Sequence, residues 1–421
     1  MPDSWVTSTV VYDRVPRRED LMARRIPSGI DVAFSVLAND QTVPWLVDRM
    51  SRDDGLMFRD GIEYQTNLAA LRMVFDGVRD EGWNGSLYTG WLQALRILSA
   101  PTTGAPFPEA MRTHAWAMKT LNTQLASWTQ LRHDTVGYVK QSATTPGFCS
   151  YPYGFVEPLP DFYGQLEALA TGARTAFSAL SMSGTADIPP SDAINFAAYV
   201  SLPKFKANMV SFLGRFATTM ATLRGIASKE LTQQPLNEEE TQFLRDIVQI
   251  DTTYYGNLIF DGWYPGLFYR SNEGMDPRWT WAMGGSESRP VHDADLDDRL
   301  VADVHTDTPD DICGDPGSVL HEGIGPVYLL LMAVDNGPDR MICAGPVFSH
   351  FEFLTPNAVR LTDAEWKGQL NAGLRPLHPT WTQEYLVPEN SPTCGQPAGN
   401  GQPSPEPQDC QVSPAAMQSD P

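Results

Sequence analysis

The sequence predicts an α+β protein with a mainly α-helical body, a small antiparallel β-sheet after it, and an extended proline-rich tail. Apolar residues recur with helical spacing up to about residue 260. Short β-like runs separated by turn-forming residues begin near residue 299. Residues 388–421 contain eight prolines and no Lys or Arg. We therefore expect a helical domain over 1–260, a loop-rich segment over 261–387 whose sheet packs on that body, and a tail over 388–421.

Amphipathic helices account for most of the predicted body. Two of them are indicated by apolar residues that share one helical face. The first contains Leu68, Leu71, Phe75 and Val78, and the second contains Met118, Leu121, Leu125, Trp128 and Leu131. Further helices are expected over 86–98, 161–182, 205–230 and 237–251. Asp161 and Asn237 are expected at helix starts, because side-chain oxygens and nearby acids stabilise a helix N-terminus.

A β-hairpin is predicted near residue 336. Two β-like runs, 327–334 and 341–353, flank the sequence Asp-Asn-Gly-Pro at positions 335–338. Such residues are typical of a turn, because they tolerate or fix the required backbone angles.

The five cysteines indicate an oxidising compartment. None lies in a CxxC pair or at a zinc-like spacing with histidines. Cys394 and Cys410 fall in the Pro/Gly/Gln-rich tail, where a disulfide makes more sense than core packing. The alternative is that they are incidental cytosolic thiols, because the count is odd and the pairing cannot be deduced from the sequence. We expect the tail to be held by such a bridge, by docking on the body, or by a partner chain.

Charge and motifs exclude several functional classes. The chain has 30 Lys and Arg against 51 Asp and Glu, a net charge of −21, which repels nucleic acid. Its longest apolar run, 327–334, is far shorter than the roughly 20 residues of a membrane-spanning helix. No P-loop, G-x-G-x-x-G or G-x-S-x-G motif occurs, so we expect no nucleotide or flavin cofactor. Asp3 stands where a secretory signal peptide has its basic region, so the first residues are not predicted to be such a signal.

A family resemblance rests on the block WAMKTLNTQLASWTQLRHDTVGYVKQ at 116–141, with shorter matches at 154–158, 301–307 and 361–366. These residues resemble the bacterial and archaeal family known as domain of unknown function 3160. Members are generally longer, with a further N-terminal portion and often an export signal. The resemblance therefore implies that this chain corresponds to the C-terminal portion of a precursor and is located outside the cytoplasm. It implies no particular reaction.

The helix around residue 130 holds a candidate catalytic group. On a helical wheel Arg132 falls about 20° from Leu121, inside the apolar stripe, so its guanidinium must be buried and paired. His133 and Lys140 border the stripe, and with Glu157 they form a candidate catalytic set in which His133 carries a proton. The alternative is a structural ion-pair network that fixes this helix against the loop around Glu157.

An aspartate-rich run offers a candidate metal site. Residues 292–315 contain nine aspartates, but their spacing departs from a calcium-binding EF-hand loop. Asp303, His305 and Asp307 alternate, so a regular strand would place all three on one face, where they could bind calcium or zinc. The alternative is an acidic, solvated loop.

Two functions remain open from the sequence. The first is a secreted, periplasmic or cell-surface structural or interaction protein, stabilised by a divalent cation. It would dock other protein chains, among them an N-terminal half of the same precursor or a second copy. The alternative is a metal-assisted, peptidase-like hydrolase with His133 as general base, which requires His133 and the metal ligands to meet at one pocket.

Overall fold

A computed structural model of the chain describes residues 27–53, 64–104, 106–135, 154–188, 198–247, 249–252, 258–267, 299–307, 316–335 and 340–387. Its helices are α1 (Gly29–Ser35), α2 (Val43–Asp53), α3 (Tyr64–Asp76), α4 (Asp80–Trp83), α5 (Leu87–Ile97), α6 (His114–Thr135), α7 (Pro160–Ala179), α8 (Leu202–Leu231), α9 (Glu238–Arg245) and α10 (Asp363–Asn371). Its strands are β1 (Thr185–Ile188), β2 (Ala198–Ser201), β3 (Gln249–Thr252), β4 (Leu258–Asp261), β5 (Leu300–Asp307), β6 (Ser318–Ile324), β7 (Tyr328–Asp335), β8 (Arg340–Val347) and β9 (His350–Pro356). The predicted α+β class, with antiparallel sheets in the C-terminal region, is confirmed.

The helices predicted from apolar spacing are present, and local caps define some of their ends. The α5 and α6 helices match the predicted segments. The α3 helix contains Leu68, Leu71 and Phe75 but ends at Asp76, so Val78 lies beyond it and packs against the core from the following turn. At the start of α5, Ser86 Oγ accepts a hydrogen bond from Thr89 N at 3.1 Å. At the start of α9, Asn237 Oδ1 accepts one from Glu240 N at 2.8 Å, as predicted. Each cap satisfies a backbone N–H that has no partner within the helix.

Some predicted boundaries in the body are wrong. The α7 helix begins at Pro160 rather than being capped by Asp161, because proline suits a first turn that needs no N–H donor. The helix predicted over 237–251 ends at Arg245, and residues 249–252 pair with β4 instead. A second small hairpin, β1 with β2, also interrupts the body. Strands of four residues are too short to show a period that differs from a helix.

The largest hydrophobic core surrounds α6. Met118, Leu121 and Trp128 of this helix are fully buried. The same core contains residues of α1, α3 and α5 on one side and Ala302 and Leu320 of the sheet on the other. One core therefore holds the helical body and the sheet together.

The long helices α7 and α8 pack against each other over a second core. This core contains Val156, Leu223, Ile226 and Leu244. The last turn of α8 also buries a carboxyl group, that of Glu230, which is 5% exposed.

The C-terminal region contains a three-stranded antiparallel sheet, β5–β6–β9, and a two-stranded ribbon, β7–β8. The ribbon confirms the predicted hairpin, with Tyr328 opposite Val347 at its base. The run predicted over 341–353 is divided, however, because the chain leaves the ribbon after Val347 and continues as β9 beside β6. Ser349 Oγ donates a hydrogen bond to Pro326 O at 2.7 Å and ties the two chain segments together at this division.

Several predicted features lie outside the described residues. These are the tail over 388–421 with the proposed Cys394 to Cys410 bridge, most of the aspartate-rich run, and Lys140. Within the described part, Cys343 is a free cysteine. The helices described for this chain include none that is long and apolar enough to cross a membrane.

Candidate functional site

The predicted burial of Arg132 is confirmed, since this α6 residue is 6% exposed. The next residue, His133, lies at the edge of the buried region, with its side chain 12% exposed. His133 Nε2 lies 3.1 Å from Oδ2 of Asp363, the first residue of α10. The other carboxylate oxygen of Asp363 accepts a hydrogen bond from Val301 N at 3.1 Å. One buried carboxylate thus joins α6, β5 and α10.

The structure does not bring Glu157 to His133. Glu157 instead forms an ion pair with Lys119, whose ammonium lies 4.3 Å from the Trp116 ring centroid. Lys119 precedes His133 by 14 residues on α6, a separation of about 21 Å along a helix axis. Glu157 therefore fixes the loop before α7 to α6, which is the structural alternative considered for this residue.

Asp303 lies against a histidine and an arginine rather than in an open metal site. Its carboxylate oxygens lie 2.8 Å from His321 Nε2 and 2.8 Å from Arg360 Nη1. Burial raises the pKa of Asp303, but His321 and Arg360 outweigh burial, so the pKa of this carboxyl is below its ordinary value. His321 is fully buried and stacks on Phe353, with ring centroids 5.2 Å apart.

The predicted alternation of Asp303, His305 and Asp307 is interrupted. The register changes from Asp303 opposite His321 to His305 opposite Leu320, so the strand has a β-bulge at Val304. A bulge changes the direction in which the following side chains point. Asp307 ends β5, and its side chain lies outside the described part. Among the residues that the structure describes, no group of three His, Cys, Asp or Glu side chains is arranged to hold a metal ion.

A third histidine pairs with a carboxylate deeper in the protein. His350 Nε2 lies 2.7 Å from Glu322 Oε2, and these side chains are 1% and 0% exposed. Burial lowers the pKa of His350 to about 4, against the opposing influence of Glu352, so this imidazole is neutral at pH 7. Glu352 accepts hydrogen bonds from Gly29 N and Ser28 Oγ, at 2.6 and 2.7 Å, and joins β9 to the start of α1.

We call this cluster of contacts the junction and define it by the pairs His133–Asp363, His321–Asp303 and His350–Glu322. The first pair joins α6 to α10, and the other two join neighbouring strands of the β5–β6–β9 sheet. A buried charge is costly unless it is paired, and paired groups of this kind favour one relative arrangement of the elements that carry them. The geometry therefore indicates a structural role for the junction.

Sequence reasoning missed Glu322, His350 and Asp363, although one signal was present. The sequence His321-Glu322 showed only an incomplete H-E-x-x-H motif. Neighbouring residues of a strand point to opposite faces, and this strand uses both: His321 contacts Asp303 on β5, whereas Glu322 contacts His350 and approaches Gly29. The two adjacent polar residues His321 and Glu322 within an otherwise apolar strand were the available sign that each face of the strand makes buried polar contacts.

A second candidate site is an exposed apolar face on the β7–β8 ribbon. The inward side chains of the ribbon, among them Met332 and Val334, pack against Met111 and Trp116. Six outward apolar side chains are exposed, and we call them the hairpin face: Leu329, Leu331, Ala333, Ile342, Ala344 and Pro346. Leu329, Leu331 and Ile342 are 71%, 65% and 79% exposed. The ribbon is therefore apolar on both faces, and the residues that the structure describes cover only one of them.

Comparisons with curated proteins and with solved structures found no match. A family model described as "Protein of unknown function (DUF3160)" matches residues 1–382. Because this match covers most of the chain, the protein belongs to the DUF3160 family.

Proposed function

We propose that the protein is a secreted or cell-envelope interaction protein that binds another polypeptide through the hairpin face. The observation that carries this proposal is the exposure of six neighbouring apolar side chains on one side of the β7–β8 ribbon. The exposed apolar area of the hairpin face is roughly 500 Å², at the upper end of the apolar patches that monomeric proteins expose to water, and such patches commonly mark interaction sites.

Burial of this face would provide a large favourable free energy. At about 25 cal/mol per Å², removing roughly 500 Å² of apolar surface from water contributes about 12 kcal/mol before the costs of association. The chain carries a net charge of −21, yet the hairpin face contains no charged side chain. An uncharged apolar area on an otherwise acidic chain is suited to the centre of a protein interface, where charged residues are depleted.

A location outside the cytoplasm is part of the proposal. Cys394 and Cys410 lie in a proline-rich segment without Lys or Arg, and cysteines in such a segment favour a compartment in which disulfides persist. The resemblance to exported relatives supports the same location.

The hydrolase alternative has less support from the geometry. Asp363 is placed to orient His133 as an oriented base requires. However, Asp303, which would have to bind the metal, already faces His321 and Arg360. We therefore base the proposed function on the hairpin face.

Site-specific photocrosslinking in the producing organism tests the proposal. A benzophenone amino acid replaces Leu331 in one variant, Ile342 in a second and Leu377 in a third. Leu377 is the matched control, because it is 91% exposed and apolar but lies outside the ribbon. We expect positions 331 and 342 to form an adduct with the same polypeptide and position 377 to form none. Equal labelling from all three positions, or no adduct from 331 and 342, would contradict the proposal.

A further inference from the structure

Large and small side chains are arranged in a regular pattern on the hairpin face. Each of the three cross-strand pairs of the hairpin face combines a large and a small side chain: Leu329 with Pro346, Leu331 with Ala344, and Ile342 with Ala333. From the base of the ribbon towards its tip, β7 presents large, large and small side chains. Strand β8 presents the complementary order of small, small and large at the same levels.

We propose that the hairpin face binds the same face of a second copy of this chain, about a two-fold axis that lies in the interface and runs parallel to the strands. This inference rests on the proposed function and names the partner. Rotation by 180° about such an axis keeps each residue at its level along the ribbon and exchanges the positions of the two strands. Strand β7 of one copy therefore lies over β8 of the other.

This arrangement places every large side chain over a small one. Leu331 meets Ala344 of the second copy, Leu329 meets Pro346, and Ile342 meets Ala333. Because the operation is a two-fold rotation, each of these contacts occurs twice. Apolar faces of two β-sheets that interdigitate in this way pack about 10 Å apart. Two unrelated ribbon faces would have no reason to match at all three levels.

The area of the face reaches the minimum for a specific pair. Two patches of roughly 500 Å² bury about 1,000 Å² in total, which is the lower bound for a specific interface. Val327, which is 49% exposed and directly precedes β7, adds to the rim. The face alone thus supplies the centre of an interface of ordinary size.

Charge predicts how this association responds to salt. Two chains of net charge −21 repel each other, and salt screens that repulsion. The six side chains of the hairpin face carry no charge, so they form no ion pair that salt would weaken. Association of two copies should therefore become tighter as salt increases, whereas binding of a basic partner to this acidic chain would become weaker.

Sedimentation analysis of the purified full chain over a range of concentrations tests the inference. We expect the 46.5 kDa chain to form a dimer whose dissociation constant decreases between about 0.05 M and about 0.5 M NaCl. The Leu331→Lys and Ile342→Lys substitutions should each raise that constant roughly 100-fold, as for residues at the centre of an interface. The Leu377→Lys control should not change it. All three positions are exposed, and an unchanged circular dichroism spectrum verifies the fold of each variant.

A pair of substitutions at one contact distinguishes specific packing from nonspecific hydrophobic association. Ala344→Leu makes the face more apolar but fills the space that Leu331 of the second copy occupies, so it should weaken the dimer. Adding Leu331→Ala to Ala344→Leu exchanges the large and small positions and should restore association. A dimer that Ala344→Leu strengthens, or that the lysine substitutions leave intact, would overturn the inference.

The crosslinked products distinguish failure of this inference from failure of the proposed function. A peptide of a second copy in the adduct from position 331 supports both. A monomeric chain whose adduct contains a different protein overturns the second-copy inference and leaves the proposed function standing. An adduct formed within one chain, or none, overturns both.

Discussion

Glu230 should make the stability of this protein decrease as pH rises through neutrality. Its side chain is buried in the last turn of α8. Burial raises the pKa of this carboxyl from 4.5 to about 7, because desolvation disfavours the charged form. The negative end of the helix dipole in this turn acts in the same direction.

The magnitude follows from proton linkage. Between pH 4.5 and pH 7 the folded state binds a proton at Glu230 that the unfolded state has already released, so the free energy of unfolding falls as pH rises. The contribution is fully present below pH 4.5 and is lost through pH 7. A shift of about 2.5 pKa units corresponds to about 3 kcal/mol.

The Glu230→Gln substitution tests this reasoning, since it keeps the shape of the side chain and removes the charge. We expect the variant to exceed the parent in free energy of unfolding by less than about 1 kcal/mol at pH 5 and by about 3 kcal/mol at pH 8, measured by urea titration at each pH. Burial, and then the charge of Glu230, raise the pKa of Cys343. The variant should therefore also alkylate faster at Cys343 at pH 8.

Glu240→Gln is the matched control because it should show the opposite sign. Partial burial raises the pKa of Glu240, but contacts with Lys229 and Asn237 outweigh burial and hold the pKa below its ordinary value. Removal of that carboxylate should therefore cost stability above pH 4.5 rather than restore it. If Glu230→Gln and the parent show the same pH dependence between pH 5 and pH 8, the argument about Glu230 is refuted.

Two further predictions concern the junction. Burial lowers the pKa of His350 to about 4, so as pH falls from 6.5 towards 4 the unfolded chain takes up a proton at this imidazole before the folded protein does. The free energy of unfolding therefore decreases over this pH range, and His350→Gln should make that decrease smaller in urea titrations. Gly29→Ala would place a methyl group 2.8 Å from Glu322 Oε1 and should cost about 1–3 kcal/mol in thermal unfolding. The control Gly172→Ala lies within α7 with no neighbouring atom in reach and should gain up to about 1 kcal/mol; equal effects of the two alanines would contradict this account.

Features fixed by neighbouring residues could be predicted from the sequence. Arg132 was predicted to be buried because the apolar stripe of α6 rotates it inward, and it is. Asn237 was predicted at a helix start because its side chain reaches a backbone N–H three residues ahead. The hairpin followed from a turn sequence between two β-like runs.

The junction could not be predicted in the same way, because its contacts join distant parts of the chain. His133 and Asp363 are separated by 230 residues, and Glu322 and His350 by 28. No periodicity along one segment indicates which remote carboxylate will face a given histidine. The bulge at Val304 is similarly set by pairing with β6, and it removed the regular alternation on which the predicted metal site depended.

The hairpin face could not be predicted from the sequence for a different reason, and its position in the fold explains how it would bind a partner. Residues 327–334 are apolar throughout, so no alternation separates an inner from an outer face. The inner face packs on Met111 and Trp116, and Asn122 Nδ2 donates a hydrogen bond to Phe348 O at 2.6 Å just beyond the base of the ribbon. The outer face is thus held on a fixed support before any partner arrives. Binding of a partner then orders little additional chain, so the free energy of binding should depend on the side chains of the face itself. At one contact of that face, a second substitution that exchanges the large and the small residue can therefore restore the binding that the first substitution weakens.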